Sequence, residues 1–168
     1  IHMPGVIERC GLSPSLAGVW LAVLGAANIV GSLLAGVSLR HLSPQRFLII
    51  VFAVRATSVA SLLVLPVSPV TMLAFAVLMG LSYMALLPAI SQQLAESFGL
   101  ERLATVFGMV AVVHQFGSFA GAWLGGVVAE ATGGDSLLWA IDIGLTLTAI
   151  ALQWCLGRLP SVRWNPRL

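Results

Sequence analysis

The stretch that decides the fold is HQFGSFAGAWLGG, His114 to Gly126. It interrupts a long apolar run with two polar side chains. It then spaces Gly117, Gly121 and Gly125 four apart, with Gly126 behind. Glycine is a poor helix former in water, and polar groups are costly inside a bilayer. Both oddities resolve on a helical wheel at about 100° per residue. With His114 at zero, Ser118, Gly121 and Gly125 fall within about 40° of it. Gln115, Gly117, Ala122 and Gly126 widen this side to about 180°. The other side holds Val112, Phe116, Phe119, Trp123 and Val127. A membrane helix with a small, polar side and a bulky, apolar side is predicted. Lipid takes the bulky side, and the glycines let another backbone approach closely, which is how membrane helices associate.

Composition agrees. The chain has 168 residues, 59% hydrophobic and only 8% charged, with mean hydropathy +1.03. A soluble domain carries about 25% charged residues, so this chain lacks the polar surface it would need in water. Apolar runs of roughly 20 residues recur, each long enough to cross a hydrocarbon core about 30 Å thick. The alternating short segments of a membrane β-barrel are missing. The fold class expected is an all-α, polytopic helical bundle in a membrane.

Five complete spans are predicted, at about 15–38, 46–65, 69–96, 101–130 and 136–157, after a remnant of an earlier helix in residues 1–9. Ser13-Pro14 and Ser43-Pro44 are helix starts, with serine as N-cap and proline at the first helical position. Pro88 interrupts the third span by freeing the carbonyl of Met84. Residues 158–168 form a basic tail. All eight basic residues are arginine. Arg40, Arg46, Arg102, Arg158, Arg163 and Arg167 fall on one side of the membrane, and Arg9 alone falls on the other. The positive-inside rule then makes the C-terminus cytoplasmic. GSLLAGV (Gly31 to Val37) and GAWLGGV (Gly121 to Val127) form a weak repeat in helices of opposite direction, as in the inverted repeats of many transporters. Shared small residues of ordinary helix packing would give the same match.

Several stretches together resemble a known family. HMP at His2 to Pro4, GAANIVGSLLAG at Gly25 to Gly36, VRA at Val54 to Ala56, and HQFGSFAGAWLGG with ATGG after it are similar to the C-terminal half of a bacterial major facilitator superfamily transporter. They resemble most a branch described as monocarboxylate-transporter-like. The resemblance covers nearly the whole chain, from a remnant of helix seven to helix twelve. The basic loop motif of the superfamily, roughly G-x-x-x-D-R-x-G-R-R, stands here as GVSLRHLSPQR, Gly36 to Arg46. Arg40 replaces the acidic residue and Ser43 the second glycine, so a gating role for an acidic residue there does not transfer. The resemblance implies secondary active transport of a small solute, such as an organic anion or monocarboxylate, by alternating access. It also implies an N-terminal six-helix half of the same polypeptide as partner, and a multi-pass protein of the bacterial inner membrane.

The candidate pathway residues are His114, Gln115, Tyr83, Asn28 and Ser118. His114 and Gln115 lie about 18 Å into the membrane from the cytoplasmic end, near the midplane where transporter sites lie. A buried hydrogen bond that locks two helices is the plainer role for either. Asn28 shares its side with Gly25, Gly31, Ser32, Ala35 and Gly36, and pinning a neighbouring helix is its favoured role. Tyr83 belongs by resemblance to helix ten, which lines the cavity; packing of its amphipathic ring is the alternative. Arg55 is a possible charge site. A guanidinium suits a carboxylate, but Ala53, Ala56, Thr57, Ala60 and Ser61 lie on the side away from it, and snorkelling as an anchor is favoured. Gly31, Gly36, Gly117, Gly121, Gly125 and Gly126 are expected at helix contacts.

Other function classes find less support. No G-x-S-x-G, H-E-x-x-H or Cys/His ligand spacing is present, so no catalytic residue, metal or cofactor is expected. Cys10 and Cys155 fall on opposite sides of the membrane and are expected unpaired. The arginines are spread over loops, which argues against nucleic acid. Membrane lipid and a small solute are the expected partners. Efflux of drugs or other small molecules fits the same fold. A scaffold or receptor without transport would tolerate bulky residues on the His114 side, which are missing.

Overall fold

Lipid offers no hydrogen bonds, so a chain that crosses it must satisfy its backbone within each helix. The computed structural model describes residues 14–66, 68–132 and 136–158. Within them the helices are α1 (Pro14–Ser38), α2 (Pro44–Val64), α3 (Pro69–Tyr83), α4 (Leu86–Phe98), α5 (Leu103–Thr132) and α6 (Ser136–Leu156). A 3₁₀ turn, Leu100–Arg102, joins α4 to α5. Five helical segments are long and apolar enough to cross a membrane, with α3 and α4 together making one of them. The expectation of an all-α bundle with five spans agrees. The helix-seven remnant, the Ser13 cap, Cys10, the Gly133–Asp135 turn and the basic tail beyond Arg158 lie outside the described residues.

Helix boundaries follow local chemistry. Pro44 opens α2 behind Ser43 in an extended conformation. Ser68 and Thr71 form a reciprocal capping box at the start of α3, with both backbone N–H groups bound to the partner's hydroxyl at 2.9 and 3.2 Å. Threonine does here what glutamate or glutamine usually does. The third span breaks at Met84 and Ala85 rather than at Pro88 itself. A proline ring obstructs the carbonyl four residues earlier, and for Pro88 that is Met84. Gly99 ends α4 with φ of 82°, a backbone state that favours glycine.

Packing is organised around the crossing of α1 and α3. A Cβ built on Gly31 would collide with the backbone of Leu81, its carbonyl included. A Cβ on Gly80 would sit 2.6 Å from both the carbonyl oxygen of Leu24 and the Cβ of Ala27. Each helix therefore lays a glycine against the other's backbone. Gly36 has open space instead. Two apolar cores flank the crossing. One gathers Trp20, Val59, Met72, Phe75 and Ala76. There Phe75 stacks with Trp20 at 6.5 Å between ring centroids and meets Trp139 edge-on at 6.3 Å. The other gathers Ala35, Phe47, Leu48, Val51, Ala85 and Ala89 near the start of α2. α2 also packs along α6, whereas α5 touches chiefly α4 and α6.

Hydroxyls in these helices bind their own backbone. Ser58 is fully buried and donates to the Val54 carbonyl at 2.7 Å. Thr146 donates to Asp142 at 2.8 Å and Thr148 to Gly144 at 2.8 Å. Such bonds to the preceding turn carry a polar group through an apolar medium without a second helix.

Gly31→Ala is expected to destabilise the fold by about 1–3 kcal/mol, the usual range for overpacking, because backbone cannot move aside as a side chain can. Gly36→Ala is expected to be neutral or stabilising, since alanine is the better helix former. Thermal unfolding in detergent checks the pair, and equal melting temperatures would contradict the crossing.

Candidate functional site

The polar residues fall into two groups that the bundle keeps apart. The first lies on α1, α2 and α3, around the glycine crossing of α1 and α3. Asn28 sits on α1 with its backbone N 3.3 Å from where a Gly80 Cβ would lie. Its Oδ1 is buried and among the described residues has no hydrogen-bond partner, a condition shared with Nε1 of Trp20 on the same helix. An orphaned acceptor costs about 1–3 kcal/mol of desolvation. Across the crossing, Tyr83 is half-exposed at 48%. The guanidinium of Arg55, on α2, lies 5.7 Å from the centre of the Tyr83 ring. A cation over an aromatic face at this distance is attracted by the ring quadrupole. Two candidates considered separately in the sequence thus form one pair between α2 and α3. Ser82, beside Tyr83, is buried and spends its hydroxyl on the Met79 carbonyl at 3.0 Å.

The second group is the His114 side of α5. His114, Gln115 and Ser118 are exposed, and from Gly108 to Leu124 every residue but Ala120 is exposed. Phe116, Phe119 and Trp123 on the other side are equally open, at 71%, 72% and 62%. A Cβ at Gly117, Gly121 or Gly126 would meet nothing within 4 Å; Gly125 is buried. Among the described residues α5 packs chiefly on α4 and α6 rather than on α1 or α3, so His114 and Gln115 form a group separate from Asn28, Tyr83 and Arg55.

One polar contact was not singled out in the sequence. Gln93 of α4 and Gln153 of α6 exchange amide hydrogen bonds at 3.2 and 3.4 Å. Gln153 is a polar residue among apolar neighbours, which is a signal in the sequence, whereas Gln93 sits in the polar run Ser91 to Gln93 and is not singled out by it. Such amides act as glue between membrane helices. Among the described residues no group of three or more His, Cys, Asp or Glu is placed to hold a metal. Cys155 is a free, exposed thiol.

Long apolar spans, a glycine crossing and polar groups held inside are features of many membrane transporters, and sequence comparison narrows them. The Major Facilitator Superfamily profile matches residues 2–168. The chain belongs to the Major Facilitator Superfamily. Members of this superfamily are multi-pass membrane transporters, and five helical segments of this chain are long and apolar enough to cross a membrane. An uncharacterized MFS-type transporter of Bacillus subtilis (strain 168), YcxA, is 29% identical over 129 residues. The match takes in 73% of this chain and 31% of YcxA. The chain therefore spans about a third of the length of that relative. No solved structure matches the chain.

The Arg55–Tyr83 pair is expected to show a coupling of about 0.5–2 kcal/mol, the range for cation–π contacts from exposed to desolvated sites. Thermal stabilities of Arg55→Gln, Tyr83→Leu and the double variant measure it. Additive losses would mean that the guanidinium does not use the ring.

Proposed function

We propose that this chain is the C-terminal half of its transporter and that the protein moves a small organic anion, with monocarboxylates as the substrate class, by alternating access. The observation that carries this reading is the character of α5. Phe116, Phe119 and Trp123 suit lipid. An imidazole and a primary amide do not, because polar side chains near the bilayer centre are costly and usually face a bundle interior or a water-filled cavity. No described element covers the His114 side between Gly108 and Leu124. A second helical body opposite that side removes the cost and leaves a shared cavity near the midplane, the arrangement in which two halves rock about one site. The match to about a third of YcxA is in keeping with a partial transporter.

In this reading His114 binds the carboxylate or carries a proton, since an imidazole can both donate and accept a hydrogen bond. Gln115 and Ser118 donate hydrogen bonds beside it. Asn28 offers its unpartnered oxygen from α1, and Tyr83 its ring and hydroxyl from α3. Arg55 is an anchor held on Tyr83 and not a substrate ligand. The glycines Gly117, Gly121, Gly125 and Gly126 receive a neighbouring backbone from the other body. The arginine-bearing end is cytoplasmic, and the protein lies in the bacterial inner membrane.

The pathway assignment is tested in the intact transporter. Single cysteines at positions 114, 118 and 121 are expected to react with a membrane-impermeant thiol reagent in open vesicles, and those at 116, 119 and 123 to stay unreactive. Monocarboxylates should slow the reaction. Protection by hydrophobic drugs instead would point to efflux, and labelling of the Trp123 side alone would leave His114 a structural residue.

The orientation is tested separately. Reporter fusions after Arg46 and after Arg163 should read cytoplasmic, and one within Gly133–Asp135 external. A cytoplasmic signal from that turn would end the positive-inside argument.

A further inference from the structure

A groove of about 580 Å³ opens where α2 begins and α6 ends. Its walls include Ser43, Gln45 and Arg46 on one side and Gln153, Trp154 and Arg158 on the other. None of the residues proposed for the solute pathway lines it. Two of its side chains are guanidiniums, and none of its lining residues is a carboxylate.

The groove is built from fixed parts. Arg158 lies with its guanidinium 5.2 Å from the centre of the Trp154 ring, so its charge is held over the aromatic face. Gln153 is tied to Gln93 of α4 by the amide pair. The two walls approach closely at Gly157, where a Cβ would lie 3.3 Å from Oε1 of Gln45. The start of α2 adds its own partial charge. The first N–H groups of a helix lack intrahelical partners, the Ser43 hydroxyl makes no capping bond, and a helix N-terminus favours anions.

Position then selects the anion. Pro44 and Leu156 are ends of two spanning helices, so the groove lies at a membrane boundary. Trp154 there is the residue type that gathers at headgroup level. The anion always present at that depth is a lipid phosphate. We propose that this groove binds the headgroup of an anionic phospholipid, with Arg46 and Arg158 on its phosphate and Trp154 against its glycerol. Guanidinium suits phosphate by geometry as well as charge. The site joins α2 to α6 from the lipid side and stands independently of the solute carried.

Native mass spectrometry of the intact transporter in detergent tests the proposal, with phosphatidylglycerol and phosphatidylcholine supplied in equal amounts. Bound phosphatidylglycerol is expected to exceed phosphatidylcholine. Arg46→Gln and Arg158→Gln should each lower it by about fivefold, the worth of roughly one basic residue near a charged membrane surface. Arg40→Gln, an exposed arginine in the same loop but outside the groove, should leave it unchanged. Arg158 follows the last turn of α6 and is exposed, so Arg158→Gln alone decides the matter where changes at Arg46 impair folding. Equal binding of both lipids, an equal loss in Arg40→Gln, or undiminished binding in Arg158→Gln would overturn the assignment. Displacement of phosphatidylglycerol by millimolar inorganic phosphate would also overturn it, and would make the groove a site for free phosphate.

Discussion

The contact on which the rest depends is the backbone-to-backbone crossing of α1 and α3. Helices in lipid gain little by burying apolar surface, because the tails are as apolar as leucine. They associate by close van der Waals contact, and contact is closest where no Cβ intervenes. Gly31 against Leu81 and Gly80 against Leu24 and Ala27 make this approach reciprocal. The apolar cores around Phe75 and around Leu48 lie to either side of it and complete the packing that the glycines permit. Because α3 also packs on α2, and α2 on α6, the crossing sets the frame for the whole described bundle except α5.

Polar groups are carried through this frame in three ways. Hydroxyls bind a carbonyl one turn back, as Ser58 does to Val54, and need no neighbour. Longer side chains reach across to another helix, as Arg55 does to Tyr83 and Gln93 to Gln153. Asn28 does neither, and its buried oxygen has no partner among the described residues. The first two kinds stabilise the bundle. The third costs stability, and Nε1 of Trp20 on the same helix is in the same state.

The family and the geometry bear on different questions. Membership in the Major Facilitator Superfamily tells which family of membrane proteins the chain comes from. The exposed, two-sided α5 concerns how the chain is used, since a helix with an imidazole on one side and three aromatic rings on the other is suited to a boundary between cavity and lipid. The groove at the ends of α2 and α6 is of another kind. It gathers arginines that the topology needs at a membrane boundary and arranges two of them over one space.

The sequence by itself determined the class of fold and the five apolar spans. The physical reason is that lipid leaves a backbone no choice but the helix, so length and apolar character suffice. It also determined that α5 has unlike sides, because the helical period alone sorts His114 from Trp123. It did not determine which glycine meets a neighbour. Gly31 and Gly36 look alike on the wheel, yet only Gly31 touches another backbone. It did not pair Arg55 with Tyr83, nor Gln93 with Gln153 across 60 residues of chain. Those contacts depend on how each helix is rotated and tilted against the next. Rotation and tilt are set by the summed packing of all the helices together, and no local spacing of residues encodes that sum.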